Sequence, residues 1–167
     1  VSFVVSPIKA LMYDQKADLD LAFFSRTNHI TSDDDGEDKE KILHDFGAGK
    51  YLFIYISPER FQIQNFREHF VSVNKNFNIA YAVIDEIHCL SEWGHSFRTS
   101  YLTLSDTIDK YCNNFSYIGL TATASANVIK DIRIELNIEQ QNIKTPSNYT
   151  REELEFIAID DKNDKDE

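Results

Sequence analysis

The sequence predicts an α/β protein built on a parallel sheet with helices on both faces, and three observations predict it. Short β-branched or aromatic runs alternate with helical patterns along the 167 residues, which is the rhythm of βαβ units. Two of those runs, Tyr51-Leu52-Phe53-Ile54-Tyr55-Ile56 and Ile79-Ala80-Tyr81-Ala82-Val83-Ile84, are apolar almost throughout, as strands covered by helices on both faces are. The second ends in adjacent acids, Asp85-Glu86, and open parallel sheets gather ligands at the carboxyl ends of their strands.

Taken in order, strands are expected at 1–5, 21–24, 51–56, 79–84 and 117–120, with a weaker one at 155–159. Ser6-Pro7 supplies an N-cap and a first-turn proline for a helix with Ile8, Leu11, Met12 and Leu19 on one face. Ile42, Leu43 and Phe46 mark a short helix, and Ile63, Phe66, Phe70 and Val73 a longer one. Ser125 caps a helix whose Val128, Ile129, Ile132 and Leu136 share a face. Residues 32–40 read as a mobile loop and 160–167 as a frayed end.

The length suits one domain with a real core. An apolar fraction of 42% with 13% aromatics excludes a disordered chain. Cys89 and Cys112, the two cysteines, lie far apart. They indicate neither a disulfide framework nor a zinc site, and suit a reducing compartment. No apolar run reaches membrane-spanning length and no signal-peptide pattern opens the chain. The chain starts without Met, inside its first expected strand, so a fragment is expected.

The net charge of -11 opposes nucleic-acid binding at first sight. Residues 33–40 hold six acids and one lysine, and residues 160–167 five acids and two lysines. Together they carry -8, leaving about -3 elsewhere, so the balance neither excludes nor supports nucleic acid.

The chemistry-bearing motif is Ala82-Val83-Ile84-Asp85-Glu86-Ile87-His88. In ATPases of this architecture the Asp holds Mg²⁺, usually through water, and the Glu polarises the attacking water. On these residues alone, such a box and a strand ending in a polar turn are equally good accounts. Gly47-Ala48-Gly49-Lys50 imitates the tail of a phosphate-binding loop, but that pattern needs Gly at 44 and Ser or Thr at 51, where His44 and Tyr51 stand. It reads instead as a helix C-cap and turn.

Residues 82–98, AVIDEIHCLSEWGHSFR, resemble the RecQ family of superfamily-2 DNA helicases, in which a D-E-x-H box runs into an aromatic-rich loop. Here that loop is His88-Cys89-Leu90-Ser91-Glu92-Trp93-Gly94-His95-Ser96-Phe97-Arg98. Three further segments resemble the family in order: Val4 to Gln15 (motif Ia), Tyr55 to Phe61 (motif Ib) and Gly119 to Ala124 (motif III). Ile87 stands where the family usually has Ala, and Phe97-Arg98-Thr99-Ser100-Tyr101 lacks its Pro-Glu.

The resemblance implies a RecA-like (P-loop NTPase) helicase domain over 1–157, lacking its first strand and Walker A loop, with 158–167 as an acidic tail or the start of a linker. It implies an intracellular, ATP- and Mg²⁺-dependent 3′–5′ helicase acting on single-stranded and forked DNA in recombination and repair, the alternatives being a non-catalytic nucleic-acid- or protein-binding module derived from a helicase domain, or a superfamily-2 RNA helicase. The parent would work with a second RecA-like domain, in the nucleus of a eukaryote or the cytoplasm of a bacterium. Asp85 would hold Mg²⁺, Glu86 act as base, His88 couple ATP to DNA, and Thr121 meet the nucleotide side. Ser6, Pro7, Lys9, Pro58, Glu59, Arg60 and Thr123 would face the DNA track, although Ser6-Pro7 and Ser57-Pro58 also read as helix openings.

Trp93, His95, Phe97 and Arg98 would form the DNA-sensing loop, with His95 shaping it near the nucleotide and no zinc involved. Aromatics presented to single-stranded bases contribute about 1–3 kcal/mol each without reading sequence; the alternative is that Trp93 and Phe97 are core residues beneath the loop. Without a Walker A lysine the chain alone is expected to hydrolyse no ATP, and loss of a strand beside 117–120 to leave a sticky sheet edge.

Overall fold

The computed structural model describes residues 1–91, 99–145, 154, 155 and 157. Five strands, β1 (Ser2–Val5), β2 (Thr27–Ile30), β3 (Phe53–Ile56), β4 (Tyr81–Ile84) and β5 (Ser116–Gly119), form one sheet in the order β2-β3-β1-β4-β5. Every pairing is parallel, with Val5 level with Ile56 on one side and Ile84 on the other. Parallel neighbours need crossovers, and these are α1 (Lys9–Leu21), α2 (Gly36–Gly47), α3 (Gln64–Asn76) and α4 (Leu104–Tyr111), with α5 (Ala126–Glu135) after β5.

The central strand shows what organises the core. Side chains alternate along β1, and Phe3 and Val5 are fully buried while Val4 between them is half-buried. Phe3 meets Phe70 of α3 edge-on at 5.0 Å and Phe61 at 5.7 Å, and Phe70 extends the aromatic cluster to Phe46 of α2 at 6.2 Å. Burying side chains of this size contributes roughly 1.5–3 kcal/mol each. Ile30, Ile54, Ile56 and Ile84 carry the same cluster across the sheet.

Three expected elements differ. There is no strand at 21–24: α1 runs through Leu21, and Phe23, at φ 61°, turns the chain so that its N–H meets the Asp20 carbonyl and that of Phe24 the Leu19 carbonyl. The aromatic pair imitated a strand, while the real one, Thr27–Ile30, is a short polar edge strand. Second, Ser6-Pro7 does not cap α1. The helix opens two residues later, with Ile8 at the cap position and no side-chain cap. Third, 32–40 is not all loop. Asp35 caps α2 by accepting from the Asp38 N–H at 2.8 Å, and Glu37 and Asp38 lie in its first turn, where the helix dipole favours acids. Asp34 accepts from the Thr31 N–H at 2.6 Å. The acidic run is largely helix-opening chemistry.

The 47–50 turn is a C-cap: Gly49 has φ 72°, and the Gly49 and Lys50 N–H groups close onto the carbonyls of Phe46 and Asp45. Ser125 caps α5 by accepting from the Val128 N–H. Residues 155 and 157 are not in a strand; the rest of 155–159, and 158–167, lie outside the described residues. Among the described residues no helix is long and apolar enough to cross a membrane.

Candidate functional site

Because all strands run the same way, their carboxyl ends form one rim, and its backbone ladder continues one residue beyond the strands. The N–H groups of Ser57, Ser6, Asp85 and Leu120 donate to Ile30, Ile56, Val5 and Ile84 respectively. Asp85 thus sits on the rim between Ser6 and Leu120, one rung past the end of β4.

Asp85 is held at four atoms. Its N–H donates to Val5 O at 2.9 Å, and the Tyr101 hydroxyl donates to its carbonyl at 3.1 Å. Oδ1 accepts from the Glu86 N–H at 3.0 Å, and Oδ2 from the Ser6 hydroxyl at 3.1 Å. Its negative charge adds to burial in pushing the Tyr55 phenol above its ordinary pKa.

Glu86 has left-handed backbone angles, φ 48° and ψ 45°, a conformation that costs a non-glycine residue free energy and recurs at functional sites. It turns the chain off β4 into a 3-10 turn, Ile87–Leu90, whose first N–H reaches Leu120 O at 2.9 Å. Gly119 makes room for this turn: a Cβ there would lie 2.2 Å from Ile87 Cδ1.

His88 is buried, with Nδ1 2.9 Å from the Thr121 hydroxyl and 3.1 Å from Glu86 Oε2. The Thr121 hydroxyl in turn donates to Thr123 O and accepts from the Thr123 N–H. The end of β4 and the loop after β5 therefore form one hydrogen-bonded unit, Glu86–His88–Thr121–Thr123. A half-exposed carboxylate beside a buried imidazole can accept a proton from water and keep its direction through the ring.

The other expected site residues that the structure describes lie along the same rim. Pro7 follows Ser6, and Lys9 opens α1 with Nζ on Asp33 at 2.7 Å and on the Ser32 hydroxyl. Pro58, Glu59 and Arg60 form a 3-10 turn, Pro58–Gln62, after β3, where Glu59 accepts from the Ser100 hydroxyl at 3.4 Å. Ser6 is 1% exposed with its hydroxyl committed to Asp85. Trp93, His95, Phe97 and Arg98 lie outside the described residues; beyond them Thr99–Tyr101 is a 3-10 turn with Tyr101 fully buried. Sequence reasoning missed Tyr101, because no local pattern announces a bond to a backbone carbonyl sixteen residues away.

Residues 1–132 match the DEAD/DEAH box helicase family. The chain is 32% identical over 164 residues to a RecQ-like DNA helicase of Caenorhabditis elegans, covering 95% of this chain and 16% of that protein. It is 30% identical over 162 residues to the ATP-dependent DNA helicase RecQ of Bacillus subtilis, covering 97% and 26%. It thus spans about a quarter or less of these relatives' length. Among solved structures, the DNA-bound DUF1998 helicase MrfA superposes with a TM-score of 0.59 at 20% identity, over 81% of this chain and 18% of that one. The Hef helicase domain of Pyrococcus furiosus superposes at 0.56 and 17%, over 83% and 28%. Those two likenesses establish the fold alone, a RecA-like parallel α/β sheet. The chain belongs to the DEAD/DEAH box helicase family, and RecQ-type DNA helicases are its sequence relatives.

Proposed function

We propose that this chain is the DEIH-bearing part of the first motor domain of a RecQ-type helicase, which with a second RecA-like domain couples ATP hydrolysis to 3′–5′ movement on single-stranded DNA and to unwinding of forks. The observation that carries this reading is the rim unit of Asp85, Glu86, His88 and Thr121, which joins the end of β4 to the loop after β5.

Mg²⁺ fits the donor set. Among the described residues no cluster of three or more His, Cys, Asp or Glu is arranged to hold a metal, and Mg²⁺ typically needs only one or two carboxylates, completing its shell with water and substrate phosphate. Asp85 would hold it, and when bound it neutralises charge on the β- and γ-phosphate oxygens. Glu86 takes the proton of the attacking water. His88 holds the Glu86 carboxylate and passes its position to Thr121. Lys9, Pro7, Pro58, Arg60 and Thr123, with Trp93, His95, Phe97 and Arg98, line the DNA side.

The test is ATP turnover by the full-length protein that contains the chain. Glu86→Gln is expected to lower kcat by about 10²–10⁴-fold, the usual worth of a general base; a Gln variant turning over at the wild-type rate defeats the assignment. Single-stranded DNA should stimulate turnover more than RNA of the same length, and the reverse order would make this an RNA helicase. The 167-residue chain, which contains no G-x-x-x-x-G-K-[ST], is expected to show no steady turnover of its own. Turnover by the chain that Glu86→Gln abolishes would contradict this.

A further inference from the structure

We propose that Ser6 is a positioning residue for Asp85, its hydroxyl setting the direction of the carboxylate that meets the metal–nucleotide complex. The proposal rests on the reading of Asp85 given above. It replaces a DNA contact by the Ser6 side chain with an internal role.

The register makes the contact. Val5 and Ile84 are partners in the β1–β4 ladder, and the next rung sets Ser6 beside Asp85 with the Asp85 N–H on Val5 O. Partners on parallel strands project to the same face, so the Ser6 hydroxyl meets Oδ2 at 3.1 Å while the Glu86 N–H holds Oδ1 at 3.0 Å. One donor on each oxygen fixes the carboxylate plane and leaves its outer lone pairs free.

The N–H and the hydroxyl of Ser6 are both spent inside the protein. Its N–H is on Ile56 O and its hydroxyl on Asp85, and the residue is 1% exposed. A hydroxyl needed only to fill space would not be aimed at a carboxylate; Ala or Cys would fill it as well. Ser6 is also joined to the start of α1 by two residues, Pro7, whose ring fixes φ, and Ile8, which is extended.

The experiment uses the full-length protein with a non-hydrolysable ATP analogue, and reads Mn²⁺ binding from the EPR signal of the free ion. Ser6→Ala and Ser6→Cys, the latter close in volume but a poor donor, are expected to weaken Mn²⁺ binding by about tenfold, the low end for loss of a group that orients a metal ligand. The Mg²⁺ concentration for half-maximal ATP turnover should rise alike, with single-stranded DNA affinity within twofold of wild type. Ser6→Thr should recover most of the loss. In an Asp85→Asn background the Ser6 changes should have no further effect, as expected when one residue acts through the other.

Thermal melts show which variants are folded, and Cys keeps the test readable if Ala is not. Folded Ala and Cys variants with wild-type Mn²⁺ affinity overturn the proposal, as does loss of DNA affinity with Mn²⁺ binding intact. If Asp85→Asn itself leaves Mn²⁺ binding unchanged, it is the underlying reading of Asp85 that fails.

Discussion

His29 shows how one residue gives the fold a pH dependence. Burial, opposed by the nearby Asp34 carboxylate and aided by Lys16, holds its pKa below the ordinary value of 6.5. Its Nδ1 is buried without a hydrogen-bond partner among the described residues, Nε2 is 3.7 Å from Asp34, and the ring lies edge-on to Tyr13 at 4.7 Å. Since the folded pKa is the lower one, the unfolded chain takes up the proton first as pH falls. The stabilising effect of the neutral ring is full above about pH 6.5 and is lost as pH drops toward the folded value. Urea midpoints are expected to fall between about pH 7 and 5, and the fall should be smaller in His29→Gln; equal slopes would place the effect elsewhere. Tyr101→Phe leaves the Asp85 carbonyl short of its 3.1 Å partner and is expected to lower stability by about 1–3 kcal/mol, read from the same midpoints. Asp85, Glu86 and His88 were legible in the sequence because they are nearly consecutive. The bond from Ser6 was not, since it depends on β1 lying next to β4, a pairing across 79 residues.

The turn after β4 is an element with a specific partner. Ile87 occupies the space above Gly119, and an added Cβ would overlap Ile87 Cδ1. Gly119→Ala is expected to cost about 1–3 kcal/mol in stability, as overpacking does, and Ile87→Ala should relieve part of it. A double-mutant cycle on denaturation midpoints measures the coupling, and additive losses would show that the two residues do not compete. Burial made several elements readable but not all: α4 was not expected although its Leu104 and Ile108 are buried. Phe3, Ile54 and Ile84 made their strands evident, and Phe66, Phe70 and Val73 their helix. Strand β2 was hidden because an edge strand with half-exposed Asn28 and His29 carries little apolar signal. The start of α2 was hidden because the acids that cap it look, one by one, like a solvated run.

At the scale of the whole molecule, the charge of -11 and the parallel sheet are connected. A parallel sheet brings the ends of β1, β2, β3 and β4 to one rim, so the acids following β2 stand beside the lysine following β1. Lys9 and Asp33 meet at 2.7 Å, which raises the pKa of the lysine and lowers that of the acid, chiefly through their hydrogen bond. The protein thus supplies Lys9 with its own counterion. Under the proposed function, a DNA phosphate that reaches this lysine must displace a carboxylate, which then recruits a cation from solution. The cation freed from the DNA, worth about -0.7 per contact in the slope of log affinity against log salt for single strands, is largely taken up again. Asp33→Asn is expected to strengthen binding at low salt and to steepen that slope by about one contact's worth; titrations of single-stranded DNA at several ionic strengths read both. With Asp33 in place, binding through Lys9 is weaker at low salt but more constant as ionic strength changes.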